Sequence, residues 1–132
     1  MNSANNPSIF SPLVLEHFRQ PRNCGVAAEP HAVARVENPV CGDMLEISVR
    51  VAQGIIQEAR FLAKGCVPTI ACASRLTEMV QGASLQDALR IDQNTLIQSL
   101  GDLPPSSHHA ATLAIDSLRA AVRKSTSGVL GR

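Results

Sequence analysis

Leu45-Glu46-Ile47-Ser48-Val49-Arg50-Val51 alternates apolar and polar residues without a break, the period-two pattern of a strand with one buried face. Gln53-Gly54 interrupts the run and Ile55 to Ala63 resumes it as a second extended segment. The two predict a hairpin, although Gln-Gly is a weaker turn pair than Asn-Gly. Upstream, the turn chemistry of Arg22-Asn23-Cys24-Gly25 leads into Ala32 to Glu37, which reads as another strand. An antiparallel sheet of about three strands follows, with helices to cover it, and the fold class is α+β.

Helix signals lie on both sides of the sheet. Ser11-Pro12 offers a Ser N-cap and Pro at the first helical position, with apolar Leu15 and Phe18 three apart, and the helix should stop before Pro21. From Cys66 a glycine-free run carries Ala71, Ala73, Leu76, Met79 and Val80 to a C-capping Gly82, and Pro68 fits because it lies in the first turn. Short helices are expected at Ser84-Leu85-Gln86-Asp87 and from Asn94 to Leu100. Leu103-Pro104-Pro105-Ser106 makes a rigid entry to a last helix, whose stripe Ala110, Leu113, Ala114, Ser117, Leu118, Ala121 and Val122 should pack on the sheet.

The 132 residues suit one domain, expected over residues 9–124, with 1–8 and 125–132 as weakly structured tails. Hydrophobic residues make up 45% and charged residues 17%, and no run approaches the roughly 18 apolar residues of a membrane span. Twelve Lys and Arg against eleven Asp and Glu leave a net charge of +1, too little basic excess to neutralise nucleic acid phosphates. Trp and Tyr are absent and only three Phe are present, so no aromatic platform exists for stacking bases. Met1 to Ser8 has neither the charged start nor the apolar stretch of a secretory signal. A reducing cytoplasm and free thiols are the expectation.

Two cysteines stand in places that suit chemistry. Cys41 sits in Asn38-Pro39-Val40-Cys41-Gly42-Asp43, a turn at the mouth of the best strand, with a carboxylate two positions on. Cys66 follows Lys64-Gly65 at the start of a helix, where the helix dipole and the Lys charge would favour a thiolate. His109, at the start of the last helix, could offer an imidazole nitrogen to a metal. Each has a plainer reading, since a lone Cys is often a small buried hydrophobe and an Asp often caps a turn. Cys72 is six residues beyond Cys66, a rotation of roughly 240°, and belongs to the core. Nothing fixes Cys24 near the others, and His108 reads as solvated.

The words Glu16-His17-Phe18-Arg19-Gln20-Pro21-Arg22-Asn23, Asn38-Pro39-Val40-Cys41-Gly42-Asp43, Lys64-Gly65-Cys66, Thr77-Glu78-Met79-Val80-Gln81-Gly82 and Leu103-Pro104-Pro105 with His109 occur in order. Taken together, from about Leu13 to Lys124, they resemble the NifU-like (IscU-type) iron-sulfur cluster assembly scaffold family. The resemblance implies a three-stranded antiparallel sheet with helices on one face. It implies three cysteines and an aspartate at one end of the sheet, which receive sulfur from a cysteine desulfurase and pass a [2Fe-2S] cluster to recipient apo-proteins. Zinc can occupy the same ligands. Cys41, Asp43 and Cys66 match the family's first thiolate, its carboxylate and its second thiolate. Its third cysteine, after the His of the Leu-Pro-Pro word, is Ala110 here, and the Lys of its chaperone-recognition motif is Ser107. A chaperone contact through that word is therefore not expected.

Soft thiolates select zinc and iron-sulfur clusters, and a carboxylate is a harder, weaker ligand that keeps such a site labile. The expected site is Cys41, Asp43, Cys66 and His109, which could close a tetrahedral zinc centre or hold iron or a labile cluster. This describes a scaffold rather than an enzyme. Two alternatives stand beside it: a degenerate relative acting through protein partners, and a sulfur-transfer protein with Cys66 as nucleophile and His109 as its base.

Overall fold

The computed structural model describes residues 9–29, 31–39 and 41–130, with side chains described as far as Thr126. Three strands, β1 (Ala32–Glu37), β2 (Met44–Ala52) and β3 (Ile55–Lys64), form one antiparallel sheet in the order β1-β2-β3. Gln53 and Gly54 both have positive φ, 55° and 74°, as a two-residue turn that matches the right-handed twist of its strands requires. The weak Gln-Gly pair therefore makes the tight hairpin. Val51 faces Ile56 while Arg50 faces Glu58, so Gln57 is an extra residue that bulges β3. The bulge shifts the buried parity from Ile56 to Ala59 and Phe61.

Leu45, Ile47 and Val49 are fully buried on one face of β2, each contributing roughly 1.5–3 kcal/mol by leaving water. Strict alternation would leave Ser48 in water, but it is buried: the preceding loop crosses the other face and the Ala27 N–H donates to Ser48 Oγ at 2.8 Å. The Arg22–Gly25 turn runs along the outer edge of β3, with hydrogen bonds from Phe61 N–H to Asn23 O and from Gly25 N–H to Phe61 O.

Among the described residues five α-helices complete the fold: α1 (Pro12–Arg19), α2 (Val67–Val80), α3 (Leu85–Arg90), α4 (Gln93–Ser99) and α5 (His108–Leu130). Helix α2 packs on β3, and α5 packs on β1 and β2 and against α2. Every residue of the expected α5 stripe is buried, Ala110 and Ser117 included. Ser125 and Thr126, expected in a weakly structured tail, are helical, and their hydroxyls donate to the Val122 carbonyl as helical serines and threonines do. Met1–Ser8 and residues 131–132 lie outside the described residues.

Ser11 caps α1 by accepting the Val14 N–H at 3.1 Å, with Pro12 opening the helix. The buried residues are Val14 and His17; Leu15 is half-buried against the core, and Phe18 is exposed. The helix turns this way because His17 finds partners on α2: Nδ1 lies 2.7 Å from Ser74 Oγ and Nε2 lies 3.3 Å from a Glu78 carboxylate oxygen. Burial holds the His17 pKa below its ordinary value, with Glu78 opposing the shift.

The strand registers decide where the site can be. Glu37 pairs with Met44, and Met44 with Lys64. The end of β1, the start of β2 and the end of β3 thus lie in one row, and the loop after β1 and the turn into α2 leave the sheet together.

Candidate metal centre

The loop between β1 and β2 is closed by its own backbone. The Asn38 N–H donates to the Asp43 carbonyl and the Gly42 N–H to the Asn38 carbonyl, both at 2.8 Å. Gly42 has φ +79°, a conformation that favours glycine, and this turn separates the directions taken by its neighbours. Cys41 is exposed, while Asp43 is 7% exposed.

A buried carboxylate needs donors, and the start of α2 supplies them. Thr69, fully buried in the first turn of α2, donates its hydroxyl to Asp43 Oδ2 at 2.5 Å. The Cys66 thiol donates to the same oxygen at 3.4 Å and lies 3.5 Å from Thr69 Oγ1. Gly65 makes room: a Cβ there would fall 2.8 Å from Asp43 Cγ and 3.0 and 3.1 Å from its oxygens. Its φ is ordinary, so the demand for glycine is close approach alone.

The third element is α5. His109 Nδ1 lies 3.1 Å from the Ser106 carbonyl, which can only accept, so Nδ1 carries a proton and Nε2 is the ring nitrogen left to ligate. Nε2 lies 3.9 Å from Asp43 Oδ2. A carbonyl bond of this kind is how metal-binding histidines are oriented. A cation between the two atoms would be held by the carboxylate on one side and by the neutral ring's Nε2 on the other.

Cys41, Asp43 and His109 offer ligand atoms all within 4.8 Å of one another. Cys66 lies outside that mutual group but touches Asp43. Tetrahedral zinc, with bond lengths of about 2.0–2.3 Å, sets its ligands roughly 3.3–3.8 Å apart, so the 3.4 and 3.9 Å separations are close to bonded ones. The structure thus brings three of the four expected residues into one cluster and places the fourth against its central carboxylate.

One expectation is reversed. Lys64 and the helix dipole do not make Cys66 a ready thiolate; burial pushes its pKa up, and the Asp43 carboxylate beside it adds to the shift. Its neighbours are Asp43 and Thr69 rather than a base at His109, which removes the basis for an activated Cys66 nucleophile. Cys72 is fully buried in the core, and its thiol is held far above its ordinary pKa by burial. Cys24 is exposed beside Phe61, outside the cluster, and all four cysteines are free thiols. His108 is exposed, with Nε2 3.1 Å from the Leu103 carbonyl.

The parts that sequence reasoning missed are the supports. Thr69 had no visible signal, because a threonine in a first helical turn is ordinary. Gly65 does carry a signal, since a glycine directly before a candidate ligand can admit a neighbouring side chain. Ser107 is fully buried, and its hydroxyl has no partner among the described residues.

Known proteins resemble this chain over most of its length. The chain is 38% identical over 114 residues to the iron-sulfur cluster assembly scaffold protein IscU 1 of Archaeoglobus fulgidus, covering 86% of this chain and 74% of that one. It is 36% identical over 116 residues to the iron-sulfur cluster assembly scaffold protein IscU of Aquifex aeolicus, with the same coverage. The crystal structure of the N-terminal part of a nitrogen-fixing NifU-like protein from Brucella abortus superposes with a TM-score of 0.70, covering 88% of this chain and 93% of that one. At 22% identity that likeness supports the fold alone. Residues 9–128, nearly the whole sequence, match the NifU-like N terminal domain, and the chain belongs to that family.

Proposed function

We propose that this protein is an iron-sulfur cluster assembly scaffold whose cargo is held by Cys41, Asp43, Cys66 and His109. The observation that carries the reading is the convergence of the Cys41, Asp43 and His109 ligand atoms within 4.8 Å, with the Cys66 sulfur on the same carboxylate. Named relatives that are iron-sulfur cluster assembly scaffolds support it. The cargo is iron or a [2Fe-2S] cluster, and zinc fits the same four donors. A cysteine desulfurase supplies the sulfur, and recipient apo-proteins in the cytoplasm take the product.

The residues divide the work by exposure. Cys41, on the open loop, meets incoming iron or sulfur first. His109 turns Nε2 toward the carboxylate, with Nδ1 held by the Ser106 carbonyl. Cys66 must lose its thiol proton to ligate, and because Cys66 is half-buried rather than sealed off, that proton leaves to solvent while Asp43 stays a carboxylate. Two thiolates, one carboxylate and one imidazole make a weaker grip on a cluster than four thiolates, which suits a protein that must release what it assembles. Ala110, fully buried on the α5 stripe, contributes no ligand, so His109 completes the set where the family resemblance places a third thiolate.

Metal content of the reduced protein, purified and measured anaerobically, tests the reading. About one zinc or iron per chain is expected, falling to near zero in the Cys41→Ser, Cys66→Ser double variant. An unchanged metal content in that variant would overturn the assignment.

A further inference from the structure

Asp43 Oδ2 is the point at which the site's parts meet. It accepts the Thr69 hydroxyl at 2.5 Å and the Cys66 thiol at 3.4 Å, and it faces His109 Nε2 at 3.9 Å. Of the three, Thr69 is the one with no part in ligation. Its side chain is fully buried, so water cannot take its place as a donor, and its hydroxyl oxygen lies closer to the carboxylate, at 2.5 Å, than to the Cys66 sulfur at 3.5 Å. The Gly65 backbone also approaches the carboxylate closely enough to exclude even a methyl group.

We propose that Thr69 is a positioning residue for metal binding, its hydroxyl fixing the Asp43 carboxylate in the orientation that ligates. The proposal rests on the metal-binding reading above and deepens it. A carboxylate oxygen has two lone pairs, so Oδ2 can keep the Thr69 hydrogen bond while giving its other pair to a metal. Without the hydroxyl, Asp43 loses its short, charge-assisted restraint and rotates about its side-chain torsions before a metal arrives. The cost of ordering it then comes out of the binding affinity. Outer partners of this kind are worth 10- to 100-fold in metal affinity.

The test is zinc affinity by competition with a chromophoric chelator, on the full-length reduced chain. Thr69→Val keeps the shape and removes the donor, and Thr69→Ser keeps the donor. We expect Thr69→Val to bind zinc 10- to 100-fold more weakly and Thr69→Ser to bind within about threefold of the native chain. Because Thr69 acts through Asp43, Thr69→Val should add no further loss in an Asp43→Ala background, whereas a general structural defect would. Thr69→Ala replaces the valine variant, with the same expectation, if thermal unfolding shows that variant is not folded. Native affinity in a folded hydroxyl-free variant overturns the role of Thr69 alone, as does an equal loss in the Asp43→Ala background. A native chain that binds neither zinc nor iron overturns both this proposal and the reading beneath it.

Discussion

Replacing Gly65 by alanine probes the site through a single methyl group. The new Cβ would sit 2.8 Å from Asp43 Cγ and 3.0 and 3.1 Å from the two carboxylate oxygens, where carbon atoms in contact rest at about 3.5–4.0 Å. The overlap is roughly 0.7 Å or more, and the carboxylate is the group that must move, because the other side of the contact is backbone at the end of β3. Overpacking of this kind costs about 1–3 kcal/mol. Loss of glycine freedom in the unfolded chain returns about 0.4–1 kcal/mol, leaving a net destabilisation of about 0–2.6 kcal/mol. The effect on metal should be larger than the effect on folding. A shift approaching 1 Å stretches the 2.5 Å bond to Thr69 and takes Asp43 beyond the roughly 0.5 Å tolerance of a working site. Zinc affinity should fall at least 10-fold while the chain still melts cooperatively. The assay is chelator competition at neutral pH beside a thermal unfolding curve. A Gly65→Ala variant with native zinc affinity would refute the claim that the Gly65–Asp43 contact shapes the site.

Other consequences can be checked separately. Ser107→Ala removes a buried hydroxyl that has no partner among the described residues, so thermal unfolding should show neutral or raised stability, by up to about 1–3 kcal/mol; a clear loss would mean the hydroxyl is bonded. His17 has a folded pKa below its ordinary 6.5, so the unfolded chain binds its proton first. Its contribution is therefore complete above about pH 6.5 and is lost as the pH falls from there toward the lower folded value. Denaturant titrations of the native chain and of His17→Gln should diverge across that window, and parallel curves would contradict the assignment. Alkylation of the metal-free protein followed by mass spectrometry should modify exposed Cys24 and Cys41 first, Cys66 more slowly and buried Cys72 last. Cys66 reacting faster than Cys41 would restore the activated-nucleophile reading.

Much of the fold was legible because its signals are local. The alternation at Leu45–Val51, the Ser11-Pro12 start and the α5 stripe each need only neighbours in sequence to be read. What was missed depends on partners far along the chain. Phe18 is apolar yet exposed, while His17 is buried, because Ser74 and Glu78 on α2 give His17 its polar partners. Ser48 looked solvated until Ala27 covered it. The bulge at Gln57, which changes the buried parity of β3, has no marker in the residues themselves.

The candidate site divides in the same way. Cys41, Asp43, Cys66 and His109 could be named from residue type and from the family resemblance, because ligands are chemically conspicuous. Their environment could not. Cys66 carries the local marks of a reactive thiol, a preceding lysine and a helix start, yet burial and a carboxylate at 3.4 Å outweigh both. Thr69 and Gly65 act only through their distance to Asp43, a quantity that spacing in the sequence does not encode.

The central claim, that these four residues hold iron and sulfide as cargo without a third cysteine, is tested most directly by anaerobic reconstitution. Iron, zinc and acid-labile sulfide would be counted per chain for the native protein, the His109→Ala variant and the Ala110→Cys variant. The account predicts that the native chain takes up iron and sulfide in equal amounts and that His109→Ala loses them. Uptake by Ala110→Cys alone, with none by the native chain, would contradict it.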